Sequence, residues 1–476
     1  MSLLSKDNIN KIKHKASDML NRTLDQHITL AVTGLSRSGK TAFITSLVNQ
    51  LVNENSESQL NFFSPVHQGR FIAAKRIPQK HFDIARFDYE NALSAFCQQP
   101  PHWPEPTKGI SELRLAVRYR PQDSLLKYAT DMATLTIDIT DYPGEWLLDL
   151  PMLSQNFEDW SEKMLALLTS EPRASHAKAF IEKVNAIDPF KAADEQELAE
   201  LSKEYTKLLH LFREELGLSV IQPGRFILPG ELEGAPILEF IPYTGINELD
   251  RNAYQNADDT SFIGMLRARY LVYKEKVVKR FYKKHFQKFD RQIVLADCLS
   301  PLNNGPESFE DLKLAIELIL ESYHYGQSSV LSRIFSPKID KLLFAATKAD
   351  HVTPEQHDGM VALVNQLIYN TKQNLTYDAI EMKTLAIASI QATQAGKTVH
   401  QGKSVPVIKG QRQQDGKVIT VFPGAVPKAL PKASYWQDNE FNFISFAPLK
   451  PIEQHQTLPH LRIDQVLQFL LGDKMK

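Results

Sequence analysis

GLSRSGKT, Gly34 to Thr41, is the stretch on which the reading of this chain turns. It fits the pattern G-x-x-x-x-G-K-[ST], in which Gly34 and Gly39 let the backbone curl so that successive amides point inward at an anion. Ahead of it runs ITLAVT (Ile28 to Thr33), short, apolar and β-branched. After it comes TAFITSLVNQLV (Thr41 to Val52), with apolar residues at helical spacing. Strand, glycine loop and helix are the context the motif requires. Amides from Ser36 through Arg37, Ser38, Gly39, Lys40 and Thr41 to Ala42 then surround phosphates at a helix N-terminus. Lys40 supplies a point charge and the Thr41 hydroxyl binds Mg2+. The competing reading is a strand-to-helix turn with a solvated lysine, and the correct flanks on both sides weigh against it.

At 476 residues the chain exceeds what one hydrophobic core usually serves, so two or more packed units are expected. With 43% hydrophobic and 23% charged residues it has an ordinary globular composition. Lys plus Arg is 55 against 56 for Asp plus Glu, which gives no global pull toward nucleic acid or membrane, and no sequence-specific nucleic-acid partner is expected. Cys97 and Cys298 are too few for a disulfide framework or a thiolate metal site. The first residues lack the apolar core of a signal peptide, and no run approaches a membrane span. The expected location is the cytoplasm.

Ile9, Ile12, Ala16, Met19 and Leu20 predict a lysine-rich amphipathic helix before the first strand. From Asn53 to Gly109 the sequence reads as irregular apart from a helix in DIARFDYENALSAFCQQ, stopped by PPHWPEPTKG. ELRLAVRYR (Glu112 to Arg120) and ATLTIDITD (Ala133 to Asp141) read as strands. A long helical block follows from Leu150 to about Phe289. Strands resume at Arg291 to Cys298, Asp340 to Asp350 and Met382 to Ile390, with helices between them, which implies right-handed crossovers and a largely parallel sheet. Between Gln394 and Lys450 strand pairs around glycine turns predict a small β insertion, FNFISFAPL included, before a last helix. The expected organisation is a core over 1–149, a helical insertion over 150–289, a second part of the core over 290–393, a β-rich insertion over 394–450 and a closing core helix over 451–476.

A nucleoside triphosphate site also needs a second group on the metal, a γ-phosphate sensor and a base reader. DYPG (Asp141 to Gly144) stands at the end of a β-branched strand, where Asp141 would hold Mg2+ through water and the Gly144 amide would meet the γ-phosphate. TKAD (Thr347 to Asp350) ends another strand, the position where α/β sheets bind ligands. There the Lys348 stem covers a purine face, and the Asp350 carboxylate accepts two hydrogen bonds from a guanine edge. Adenine offers no such pair. Singly, each motif has a bland reading: D-x-x-G as a turn, and Asp350 as a cap for the helix after HVTP. Jointly, the three motifs follow different strands in the order a GTP site requires.

At this point the chain resembles the translation-factor-like branch of P-loop GTPases. It is more closely similar to the bacterial YcjX-like family, through GLSRSGKT, DITDYPGEWLLDLP, LSRIFSPKIDKLLFAATKADHVTPEQH and LAIASI. The resemblance spans most of the chain. It implies an α/β P-loop NTPase core of the Ras-like GTPase kind, with a mostly parallel sheet, a large helical insertion and a small β-rich insertion near the C-terminus. It also implies a GTP-binding protein with Mg2+ as cofactor, GTP and GDP as ligands, slow hydrolysis, an unknown protein effector and an association with bacterial envelope stress. Carried over, Lys40 and Thr41 match the phosphate-loop lysine and metal ligand, Asp141 and Gly144 the γ-phosphate sensor, and Lys348 and Asp350 the base reader. The backbone near Ser389 and Ile390 would meet the guanine carbonyl oxygen. Thr107 is the candidate switch threonine that closes on Mg2+, with Thr140 and Ser111 behind it.

Two departures matter. Thr347 replaces the commoner Asn, removing an amide that ties the base loop to the phosphate loop. Glu145 stands where many relatives place the glutamine that orients the attacking water; a carboxylate there can act on water but also repels charge, so slow turnover is expected. Arg37 and Arg225 are candidate arginine fingers, surface packing being the plainer reading of both. The basic helix from Leu266 to Arg291 offers contact with phospholipid headgroups at the inner membrane, contact with RNA, or a solvated face beside a core stripe, and the last is preferred. The alternatives to a regulatory GTPase are a nucleotide-gated scaffold with little turnover and an ATP-dependent phosphotransferase, which would have no need of TKAD.

Overall fold

A computed structural model describes residues 26–35, 37–54, 59–106, 109–122, 131–323, 339–369, 380–438, 441–449, 453 and 456–476. The amphipathic segment 9–20 and the site candidates Ser36 and Thr107 lie outside the described residues.

The central sheet is built from β1 (Gln26–Gly34), β2 (Phe71–Ile77), β3 (Ala85–Arg86), β4 (Ser111–Tyr119), β5 (Ala133–Asp141), β6 (Arg291–Ala296), β7 (Lys341–Ala346) and β8 (Glu381–Ala386). Their order is β2-β4-β5-β1-β6-β7-β8, with β3 added on β4. β5, β1, β6, β7 and β8 run parallel, and β4 is antiparallel to β5. All six residues of β6 are buried, as are the last five of β7, because helices cover both faces of this part of the sheet.

Period-two alternation divides the side chains between two cores. Ile28, Leu30 and Val32 of β1, with Ile293 and Leu295 of β6, pack with the helices Lys40–Val52 and Ile463–Leu471. Ala31, Val294, Leu342 and Phe344 point the other way, into a core shared with the helices Pro306–Glu321 and His357–Leu367 and with the long helical insertion. That insertion, from Phe157 to Lys288, carries its own aromatic cluster, in which Trp160, Phe240 and Tyr270 have ring centroids 5.3 to 6.0 Å apart. A second, three-stranded sheet joins β9 (Thr393–His400), β10 (Lys403–Gln411) and β11 (Val418–Val421), in the order β11-β10-β9.

The structure corrects the sequence reading in four places. Ala85–Arg86, read as the start of a helix, form β3, and that helix begins at Tyr89. The segment read as irregular contains β2, antiparallel to β4. FNFISFAPL forms no strand; it contributes only an isolated bridge, Arg412 to Phe446. The basic helix is not one regular helix: it runs as Phe262–Tyr273, a π turn at Lys274–Val278 and Lys279–Lys284, while Arg291 already belongs to β6. Arg291 is fully buried and pairs with Asp340 and Asp473, tying β6 to β7 and to the C-terminal turn. The aromatics Tyr270, Tyr273, Phe281 and Tyr282 of the basic segment are buried, and Lys274, Lys279 and Lys284 each have a partner within the chain. Among the described residues no helix is long and apolar enough to cross a membrane.

Candidate nucleotide site

β1 lies at the point where the chain order in the sheet reverses, between β5 and β6, and its C-terminal edge is where an open α/β sheet binds ligands. The loop after β1 is wound by Arg37 and Gly39, both in the left-handed region with φ of 61° and 84°. Gly39 then caps the helix Lys40–Val52, which has no side-chain cap and no acidic residue in its first turn, leaving its amides for an external anion. Lys40 Nζ donates to the Gly34 carbonyl at 3.0 Å, and the Thr41 hydroxyl donates to the Glu105 carbonyl at 3.4 Å.

Asp141 ends β5 in register with Val32 of β1, two residues before the glycine loop, and is 1% exposed. The chain after it touches that loop directly: a Cβ on Gly144 would stand 2.5 Å from the Gly34 carbonyl oxygen, so only glycine permits this approach. Ser111 on β4 is the register partner of Asp141, and Thr140 is buried within β5.

At the other end, Lys348 adopts φ 60° and donates to Asp297 at 2.6 Å while its ammonium lies 5.1 Å from the Phe443 ring centroid. Asp350 Oδ2 accepts from the amides of Ala392 at 2.6 Å and Thr393 at 3.2 Å, and Oδ1 pairs with His351 at 3.1 Å. Asp350 therefore tethers the start of β9; it caps no helix. Burial pushes its carboxyl up, but His351 and the Ala392 amide outweigh that and hold it below the usual carboxylate range. Asp297 is likewise held low, since Lys348 and Ser300 outweigh its burial. Thr347 bonds back to the Ala296 carbonyl of β6 through its amide, at 3.0 Å.

Both ends open into one cavity of about 550 Å³, within the range of small-molecule sites. Arg37, Ser38, Gly39, Lys40, Thr41 and Ala42 line one end; Thr347, Lys348, Asp350, Ser389 and Ile390 line the other. Asp141, Gly144 and Glu145 are not among the lining residues and reach the site through the contact between Gly144 and Gly34.

The helical insertion grips the segment after DYPG. Gly224 has no room for a Cβ against the Glu145 carbonyl, and its amide donates to Asp149 Oδ1 at 2.9 Å. Tyr273 donates to Asp149 Oδ2 at 2.5 Å, Trp146 Nε1 donates to the Leu228 carbonyl at 3.3 Å, and Gln222 reaches the Leu148 carbonyl. Arg225 lies 3.3 Å above the Trp146 ring and is 7% exposed; it is a buried packing residue, not a surface one, and does not line the cavity. Arg37 does line it, and donates to the Glu214 carbonyl at 3.2 Å.

Sequence reading missed several residues here. Arg213 forms an ion pair with Glu145 at 3.4 Å, and Trp103, Gln413 and Phe446 line the cavity, with Trp103 Nε1 donating to the Phe446 carbonyl at 2.8 Å. No local spacing signals contacts between segments so distant in the chain.

Residues 28–475 match the profile of the YcjX-like family, DUF463. The chain belongs to that family. It is 47% identical over 466 residues to a protein of Escherichia coli K12 named Ras-like GTPase YcjX, covering 98% of this chain and all of the relative. A protein of Shewanella oneidensis MR-1 with the same name is 43% identical over 484 residues, covering 98% of this chain and 99% of the relative. With the strand order above, this family member has the Ras-like P-loop fold: a mainly parallel sheet flanked by helices.

The buried Asp149 gives the grip on the DYPG segment a pH dependence. Burial raises its carboxyl to about 7, against opposing bonds from Tyr273 and Gly224. A folded-state value above the unfolded one means that the stabilisation is complete below about pH 4 and fades as pH rises through 7. Asp149→Asn resembles the protonated form. The melting temperature of the variant minus that of the parent is expected to grow from pH 5 to pH 8, with a limiting slope of about 1.4 kcal/mol of unfolding free energy per pH unit. A difference that stays constant across that range contradicts the assignment.

Proposed function

We propose that this chain is a regulatory GTP-binding protein that hydrolyses GTP to GDP slowly in the presence of Mg2+. One observation carries the reading: Lys40 and Asp350, 310 residues apart in sequence, line the same cavity at the C-terminal edge of the parallel strands. Phosphates would lie against the amides of the helix start and Lys40, and the base between Lys348 and the backbone at Ser389 and Ile390, its edge donating to Asp350.

Mg2+ would be held by the Thr41 hydroxyl and, through water, by the Asp141 carboxylate; both are hard oxygen donors of the kind this ion takes. The ion supplies charge neutralisation at the transferred phosphoryl group. The chain's own contribution is positional. The Thr41 hydroxyl, which donates its hydrogen to the Glu105 carbonyl, would offer an oxygen lone pair to the ion, and we assign Thr107 as the switch threonine. Glu145 would orient the attacking water from a buried position beside the Gly144 contact.

The names of the two relatives support guanine nucleotide as ligand, and Asp350 gives the chemical reason. Competition between GTP and ATP for the Mg2+-loaded protein tests it, with GTP expected to win by about a hundredfold, from two hydrogen bonds to a charged acceptor. ATP displacing labelled GTP at equal concentration overturns the proposal. Phosphate release under steady state separates a slow hydrolase from a nucleotide-gated scaffold, and phosphorylation of an added acceptor would instead mark a phosphotransferase.

A further inference from the structure

Glu145 poses an electrostatic problem that the proposed function leaves open. Its carboxylate is 2% exposed and its neighbour Gly144 touches the phosphate loop, so a buried carboxylate lies next to the loop that would hold a triphosphate. Water cannot screen such a charge, and a buried carboxylate without a counter-ion is strongly unfavourable.

Arg213 meets that charge. It lies in the last turn of the helix Glu195–Glu214, part of the helical insertion, with Nε 3.4 Å from Glu145 Oε1 and its side chain 18% exposed. The next residue of the same turn, Glu214, gives its carbonyl to Arg37 of the phosphate loop at 3.2 Å. A few residues on, Gly224 packs its backbone on the Glu145 carbonyl. One face of the insertion thus touches the phosphate loop, the glutamate and the glutamate's backbone.

We propose that Arg213 is a positioning residue: the counter-ion that lets a carboxylate occupy the water-orienting position beside the γ-phosphate, and the link by which the helical insertion controls nucleotide turnover. This rests on the reading of the cavity as a GTP site. Without Arg213, Glu145 repels the γ-phosphate, so GTP binding suffers and GDP binding, which lacks that phosphate, does not. A glutamine at 145 carries no charge and needs no counter-ion.

The test compares the full chain with Arg213→Ala, Arg213→Gln, Glu145→Gln and the Arg213→Ala/Glu145→Gln double variant. Fluorescent GTP and GDP analogues with Mg2+ report affinity, single-turnover phosphate release reports hydrolysis, and a thermal melt reports folding. Arg213→Ala is expected to weaken the GTP analogue about tenfold while GDP binding changes less than about twofold, and to slow hydrolysis by about tenfold or more. In the double variant the loss of GTP affinity is expected to disappear. Arg213→Gln keeps most of the side chain's packing and should show the same split if Arg213→Ala proves unstable. Equal losses for GTP and GDP, or a loss that persists when Glu145 is already Gln, overturns the proposal. If the parent chain binds neither analogue, it is the GTP-site reading that fails, a result separate from every comparison among the variants.

Discussion

Asp350→Asn is expected to invert base preference, lowering GTP affinity by about a hundredfold or more while raising that for xanthosine triphosphate. The guanine edge presents two donors, N1–H and the exocyclic amine, and each bond to a charged acceptor is worth about 1.5 to 3 kcal/mol. His351 and the Ala392 amide outweigh the effect of burial and hold the Asp350 carboxyl low, so it is ionised at neutral pH and its oxygens only accept. An Asn side chain offers one acceptor and one donor, matching xanthine, in which an oxo group replaces the amine. The same carboxylate also anchors the start of β9, which makes the control necessary. If Asp350 served only that tether, the substitution would depress binding of both nucleotides equally and lower the melting temperature. A rise for the xanthine nucleotide alone separates recognition from support, and its absence sinks the base-reader assignment.

Much of the core was legible because its strands are buried on both faces. KLLFAA and RQIVLA read as apolar runs whether or not one knows their neighbours, and KLLFAA ends at TKAD, a motif whose chemistry depends on a strand's C-terminal edge. β2 stayed hidden for the opposite reason. It packs on one neighbour only, and Ile72, Ala73, Lys75 and Arg76 are exposed, so no periodicity marks it. FNFISFAPL misled by its alternation: Phe443 and Phe446 pack on His351, with ring centroids 5.3 and 5.4 Å away, and the segment pairs with the second sheet through the isolated bridge at Phe446.

The site divides in the same way. Lys40, Thr41, Lys348 and Asp350 are each fixed by a short motif, and the fold brings them to one cavity. Arg213 and Trp103 have no such mark. Helical spacing tells which face of Glu195–Glu214 is apolar, but not that its last turn meets a residue 68 positions earlier. The choice between Arg37 and Arg225 as a finger was equally closed to local reading, because Arg225 is committed to the Trp146 ring by a contact between distant segments.

Lys40→Ala should have the largest effect on turnover and almost none on folding. In the structure the ammonium donates to the Gly34 carbonyl and the side chain is only partly buried, so its loss removes little packing. The melting temperature without nucleotide should stay within a few degrees of the parent. With GTP present the situation reverses. The lysine is the side-chain point charge for the outer phosphates at the end of the cavity formed by the helix start, and charge-assisted bonds to phosphate are about twice as strong as neutral ones. Affinity for GTP is expected to fall about a hundredfold, and phosphate release to drop below detection, because the same charge is needed as negative charge spreads over the transferred group. The stabilisation that GTP confers on the parent in a thermal melt should vanish with it, since a ligand stabilises only the state it binds. A Lys40→Ala protein that still melts higher with GTP, or still releases phosphate at the parental rate, would mean that the glycine loop is a turn and that the phosphates, if they bind at all, bind elsewhere.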